Sequence, residues 1–272
     1  MAITTGGIKL SETAGTPGFP FLTVQSFPDR WFDFYESLIR TVHVGVGPEG
    51  KKAADLLSHY QRRNRKGDPG LESWTSTDPQ QVAGLARMEG HLLLFLSGSL
   101  DDPRFQETRQ NILANEPYLL WTLVVGGDGK EKVKPQENEI VIPFEGNDSH
   151  HPLCSFILQM DNLLTQPTLI GIDMADYKSC SGALGKYHQT SGRSDNGFGR
   201  LAEVLAENRE LMRQAKAVTC SLINLDPDFQ MSELTKVEEL VSREIGSSTG
   251  LMRGYDYYSR VEEEPGVMLL II

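Results

Sequence analysis

Two stretches of the chain, His91-Leu-Leu-Leu-Phe-Leu96 and Leu119-Leu-Trp-Thr-Leu-Val-Val125, are apolar without alternation. A strand with one face in water alternates apolar and polar residues, so an unbroken apolar run belongs to a strand buried on both faces, the situation of a parallel sheet covered by helices. Leu38-Ile-Arg-Thr-Val-His-Val44 is alternating and β-branched, as a strand should be. Helical segments at 51–60, 78–87 and 104–113 fall between these strands, and Asp102-Pro103 forms a good N-cap and N1 pair for the last of them. The expected fold class is α/β around a parallel sheet.

Composition narrows the partners. A hydrophobic share of 39% and a charged share of 23% are those of an ordinary folded chain. The formal charge of −11 opposes binding to nucleic acid or to an anionic membrane, so any phosphate ligand needs a local exception to that field. Cys154, Cys180 and Cys220 are far apart, odd in number and without C-x-x-C spacing, which predicts reduced core residues and no metal site. The N-terminus lacks a signal-peptide pattern and no apolar segment approaches the ~20 residues of a membrane span, so a cytoplasmic chain without direct membrane insertion is expected.

The strand ending at Val44 runs into Gly45-Val-Gly-Pro-Glu-Gly50 and then into a helix opened by Lys51 and Lys52. Strand, G-x-G-x-x-G and helix bring backbone N–H groups and a helix N-terminus up to a phosphate. Gly45, Gly47, Gly50 and Lys51 are therefore candidate nucleotide-binding residues, although Pro48 lacks an N–H and Glu49 adds a negative charge. A Rossmann-type enzyme would continue into a second strand ending in an acidic residue about 20 positions on. Here R-R-N-R-K-G-D-P-G reads as a basic, turn-rich loop.

Farther on, a short apolar strand leads into Asp173 and Asp176. Positions i and i+3 of a helix share a face, so the two carboxylates converge on one small volume. Spacing alone leaves two readings open. One is an N-cap and its N3 partner, stabilising the helix start by roughly 0.5–2 kcal/mol; the other is a functional pair.

The segment around these aspartates, Leu163-Leu-Thr-Gln-Pro-Thr-Leu-Ile-Gly-Ile-Asp-Met-Ala-Asp-Tyr177, resembles the catalytic loop of FtsZ, the bacterial relative of tubulin, whose pattern is approximately L-I-T-R-P-G-L-I-N-V-D-F-A-D-V. Leu163, Thr165, Pro167, Leu169, Ile170, Asp173, Ala175 and Asp176 match without a gap, while Gly171 replaces the family's Asn. The resemblance extends over residues 38–272. It implies a parallel-sheet nucleotide-binding-type domain at 38–149, a central helix and catalytic-type loop at 150–176 and a smaller α+β domain at 177–272. Residues 1–37 read as an irregular arm and a short helix, whose Trp31, Phe32 and Phe34 need burial and either pin the arm to the fold or meet a partner.

The resemblance also implies site roles. Asp173 and Asp176 would act in trans, completing the GTPase site of the next subunit in a filament. Ser97-Gly-Ser-Leu-Asp-Asp-Pro103 stands where the family has G-G-G-T-G-T-G, which makes Gly98 and Ser99 candidate phosphate contacts but puts Asp101 and Asp102 where phosphate oxygens would sit. His151 falls on the family's guanine-reading Asp, and a neutral imidazole cannot accept two N–H bonds from a base as a carboxylate does. The adjacent His150 and His151 have no clear further metal ligands. The family's linker and tail after the last strand have no counterpart before Ile272, so recruitment through such a tail is not expected.

The function these residues imply is an FtsZ-like cytoskeletal-type protein with weak or lost GTP binding and hydrolysis, acting through self-association or on an FtsZ-type partner. A working GTP-hydrolysing filament former using Lys51, Lys52 and the basic loop at 61–66 is the alternative. A Rossmann-type dinucleotide enzyme stands third.

Overall fold

The structure is a computed structural model that describes residues 39–64, 71–75, 91–126, 133–146, 149–165, 172–191, 194–223, 231–246, 249–255 and 266–272. The arm at 1–37, the helix expected at 78–87 and residues 166–171 of the FtsZ-like segment lie outside the described residues.

Six strands form the first sheet: β1 (Ile39–Gly45), β2 (Leu71–Thr75), β3 (His91–Gly98), β4 (Leu120–Val125), β5 (Glu139–Phe144) and β6 (Ala183–Leu184), in the order β2-β1-β3-β4-β5-β6. Every pairing is parallel, as the unbroken apolar runs require. Parallel neighbours need crossovers. Helix α1 (Gly47–Asn64) lies between β1 and β2 in the chain, and α2 (Pro103–Leu113) between β3 and β4. Leu93 and Phe95 of β3 join Trp121, Leu123, Ile140 and Ile142 in the core on one face. Leu94 and Leu96 meet Val42, Val44, Phe105 and Ile112 on the other.

Helix α3 (His150–Thr165) is buried at every position from Leu153 to Leu164. A helix apolar nearly all round must be covered on all sides, and α3 is covered by two sheets. The second sheet contains β7 (Lys186–Ser191), β8 (Ala217–Ile223), β9 (Gly250–Tyr255) and β10 (Gly266–Ile271) in the order β7-β10-β8-β9. β10 runs antiparallel to β7 and β8, while β8 and β9 are parallel. Ala217, Met268 and Leu270 face the large core shared with α3. On the outer face Val218, Cys220, Val267 and Leu269 pack under α5 (Ser194–Glu207), α6 (Arg209–Gln214) and α7 (Met231–Glu244), through Leu201, Leu205, Met212, Val237 and Val241.

Short α4 (Met174–Ser179) is tied to both sheets by one side chain. Tyr177 is fully buried, lies edge-on to Trp121 of β4 at 5.1 Å between ring centres, and its hydroxyl accepts from Thr219 Oγ1 of β8 at 3.1 Å. Across α3 and β7 the contact is polar. Ser155 donates to Gln189 at 2.8 Å and the Tyr187 hydroxyl to Gln159 at 3.2 Å.

Several boundaries differ from the sequence expectation. α1 starts at Gly47 rather than Lys51, with Pro48 in its first turn, and continues to Asn64 through what reads as the start of a basic loop. β2 follows, so the chain does return to the sheet beside β1. Between α5 and α6 the helix breaks at Asn208, whose Nδ2 donates to the Val204 carbonyl at 2.7 Å while its Oδ1 accepts from Lys186 at 2.8 Å. Cys154, Cys180 and Cys220 are buried free thiols, as expected. Among the described residues no helix is long and apolar enough to cross a membrane.

Candidate functional site

From β1 the chain proceeds to β2 on one side, and β3 pairs on the other. In an open parallel sheet this reversal leaves a crevice beyond the strands' C-terminal ends, the general location of ligands in such folds. The loops after β1 and β3 form it, and glycines let them touch. A Cβ on Gly45 would come within 2.1 Å of the Gly50 carbonyl oxygen, and one on Gly50 within 2.4 Å of that of Ser97. The Val46 N–H donates to the same Ser97 carbonyl at 2.9 Å. Beneath the loops His43 and Ser97 are fully buried and share a 2.8 Å hydrogen bond. Burial pushes the His43 pKa down to about 3, so the ring is neutral.

The crevice carries a carboxylate of its own. Gly47 has φ +71, and a Cβ there would lie 2.1 Å from Asp102 Oδ2, so the carboxylate rests on the glycine backbone. Asp102 is held there as the α2 N-cap, accepting from the Arg104 N–H at 3.0 Å, and by Arg104 Nη2 at 2.7 Å. The Arg104 hydrogen bond holds the Asp102 carboxyl below the usual carboxylate range, against the opposing pull of desolvation. Asp101, by contrast, is exposed, and its N–H donates to Ser99 Oγ at 3.3 Å.

The other candidates surround this plug. Gly98 abuts Phe105, and Ser99 shapes the turn by accepting the Asp102 N–H at its carbonyl, 3.1 Å. Glu49 lies 2.8 Å from Lys52 and 3.0 Å from His150 Nε2 at the start of α3, and the Lys52 hydrogen bond is the main cause of its lowered pKa. That commits Lys52. Lys51 is exposed and makes no ion pair among the described residues. His151 contacts the Tyr60 hydroxyl at 3.1 Å through Nδ1. Around the loop, then, an acidic side chain rests on Gly47, Pro48 supplies no N–H and Glu49 adds charge.

Asp173 and Asp176 lie at the opposite edge. Lys178 of α4 hydrogen-bonds Asn138, and the Gly182 N–H donates to the Glu139 carbonyl at 2.8 Å, which places α4 beside the first residues of β5. The glycine loops follow the last residues of β1 and β3. With a rise of ~3.3 Å per residue, a strand of this length separates the two regions by roughly 20 Å or more. The two aspartates form a reciprocal capping box: the Asp176 N–H donates to Asp173 Oδ1 at 2.9 Å and the Asp173 N–H to Asp176 Oδ2 at 3.0 Å. Both side chains are exposed, and each keeps one oxygen without a hydrogen bond among the described residues. The capping geometry is therefore present, and it leaves charge available to a partner.

One polar cluster escaped the sequence reading. Arg109 of α2 donates to Glu139 of β5 through Nε and Nη2, both at 2.6 Å, and Glu139 also accepts from Thr122 Oγ1 at 2.5 Å and from the Gln136 N–H at 2.9 Å. Arg109 shares the inward face with Phe105 and Ile112, at helical spacing. A charge on an apolar helix face is the signal that could have revealed it.

No family model matches the chain and no curated protein matches it in sequence. Its fold, however, matches that of CetZ from Methanosaeta thermophila strain DSM 6194, with a TM-score of 0.56, 11% identity and coverage of 86% of each chain. CetZ is of the tubulin/FtsZ superfamily. Two further structures overlap less well: one titled for regulation of the Dha operon of Lactococcus lactis has a TM-score of 0.32 at 10% identity, covering 87% of this chain and 79% of that one. The dihydroxyacetone kinase operon co-activator DhaQ has a TM-score of 0.33 at 10% identity, covering 87% and 82%. Overlaps that low carry no argument. The fold is α/β of the tubulin/FtsZ type: a parallel sheet, a central helix and a smaller mixed sheet. β2 supplies the second strand of a Rossmann-like unit, but it ends at Thr75 rather than at an acidic residue.

Proposed function

We propose that this is an FtsZ-like protein that assembles head to tail, with copies of itself or with an FtsZ-type partner, without relying on bound GTP. The observation that carries the reading is the Asp102 carboxylate seated on Gly47, in the crevice where the resemblance to FtsZ places phosphate. Asp173 and Asp176 support it from the opposite edge. One copy cannot bring the two regions together, whereas a second copy stacked along the strand direction would set exposed carboxylates against the end that carries exposed Lys51. The division into a nucleotide-type unit at 38–149, a connector at 150–176 and an interaction unit at 177–272 belongs to the same proposal, as does a cytoplasmic location.

Sedimentation velocity over a range of concentrations tests it. Concentration-dependent association, unchanged by GTP and weakened in Asp173→Asn/Asp176→Asn, is the expected result. A monomer at all concentrations in the absence of an FtsZ-type partner, and no co-sedimentation with one, would refute it. The exposed Lys51 favours the alternative of a working GTPase. That reading predicts phosphate release that Asp176→Ala abolishes while nucleotide binding persists.

A further inference from the structure

We infer that a cleft beside α2, away from the glycine loops, binds a small monocarboxylate through Arg109. The cleft has a volume of about 490 Å³ and is lined by Leu100, Gln106, Arg109 and Gln110 on one side and by residues 133–136 on the other. That size is within the range of small-molecule sites, roughly 300–1,000 Å³.

Arg109 is only 5% exposed, and its donors can be counted. Nε bonds Glu139 Oε1, and Nη2 bonds both Glu139 Oε2 and, at 2.9 Å, the Lys134 carbonyl. A guanidinium carries five N–H groups. These contacts use three, and the two on Nη1 make no hydrogen bond among the described residues. Pinning α2 to the sheet accounts for the Nε and Nη2 contacts. It does not account for a guanidinium that is fixed by a bidentate carboxylate and belongs to a residue lining a cleft.

The surroundings select the ligand. Gln106, Arg109 and Gln110 occupy positions i, i+3 and i+4 of α2, so two side-chain amides flank the guanidinium on one helix face. Gln106 Nε2 makes only a long 3.4 Å contact to the Leu100 carbonyl. Leu100, Val133 and Pro135 supply apolar walls. Glu139 cancels the charge of Arg109, and exposed Lys134, which forms no ion pair among the described residues, leaves the described lining with one net positive charge. One positive charge, N–H donors and short apolar walls suit a monoanion with a compact hydrocarbon body. A polyanion would meet the repulsion of the chain's −11 overall charge.

The test uses the isotope-labelled full chain titrated with hexanoate, with hexanamide as the neutral control, followed by NMR. Saturable shifts of the Arg109 Nε–H and of the backbone amides of Gln106, Gln110 and Gln136 are expected with hexanoate and not with hexanamide. Lys134→Ala/Gln110→Ala, both at exposed positions, should weaken hexanoate at least about threefold, with the Trp121 indole signal unmoved as evidence of an intact fold. Absence of saturable shifts, equal response to hexanamide, or undiminished affinity in the double variant would each overturn the inference.

Discussion

The carboxylate of Asp102 sits directly on the backbone of Gly47, close enough that a Cβ at position 47 would come within 2.1 Å of Oδ2. A helix cap and a loop glycine from two neighbouring βα connections thereby meet in the crevice that the strand order creates.

Gly47→Ala meets that carboxylate and places a side chain at φ +71, so it should cost about 1–3 kcal/mol in urea unfolding. Asp102→Ser retains a capping oxygen but removes the clash. The double variant should therefore be more stable than the sum of the two single changes implies. Simple additivity would mean that the two residues do not touch.

Asp173→Ala should cost roughly 0.5–2 kcal/mol through loss of the α4 cap, whereas Asp173→Asn keeps a capping oxygen and should cost a few tenths. Thermal unfolding of the two variants separates them. If Asn weakens association without lowering stability, the charge serves an interface and the oxygen serves the helix.

Arg109→Met leaves Glu139 buried without its cation and should cost about 3–5 kcal/mol. Adding Glu139→Met should restore a large part of that loss, because the unpaired charge is what destabilises. A double variant as unstable as Arg109→Met would contradict this account of the pair.

His43 is neutral in the fold, with its pKa pushed down to about 3 by burial, against an ordinary value of 6.5. Between these values the unfolded chain binds a proton that the folded chain refuses, so stability falls as pH falls, by up to about 1.4 kcal/mol per pH unit. Asp102 and Glu49, with depressed pKa values, also lose their stabilising contribution on acidification, at lower pH. Comparing wild type with His43→Gln between pH 7 and about pH 4 isolates the histidine. Equal pH slopes in the two proteins would mean that His43 is not the cause.

The apolar runs at Leu92–Leu96 and Leu119–Val125 made the parallel sheet legible, because only a doubly covered strand needs them. β2 and β7 were invisible for the complementary reason. Both lie at a sheet edge, and their sequences, L-E-S-W-T and K-Y-H-Q-T-S, carry no long apolar pattern. Asp102 could be read as a cap from Asp102-Pro103 alone. Its seat on Gly47 could not, since that depends on the pairing of β1 with β3 far apart in sequence. Asp173 and Asp176 left a cap and a functional pair equally open at i, i+3 spacing, and the structure supplies the cap while keeping both side chains exposed. Arg109 and Glu139 went unnoticed because each looks ordinary until the other is placed beside it.

The central claim is that the crevice carries its own anion and does not take up GTP. Isothermal titration of the purified wild-type chain with GTP, alongside Asp102→Ser, tests it most directly. The account predicts no binding to wild type at micromolar nucleotide and a measurable gain in Asp102→Ser. Micromolar affinity for GTP in the wild-type chain would contradict it.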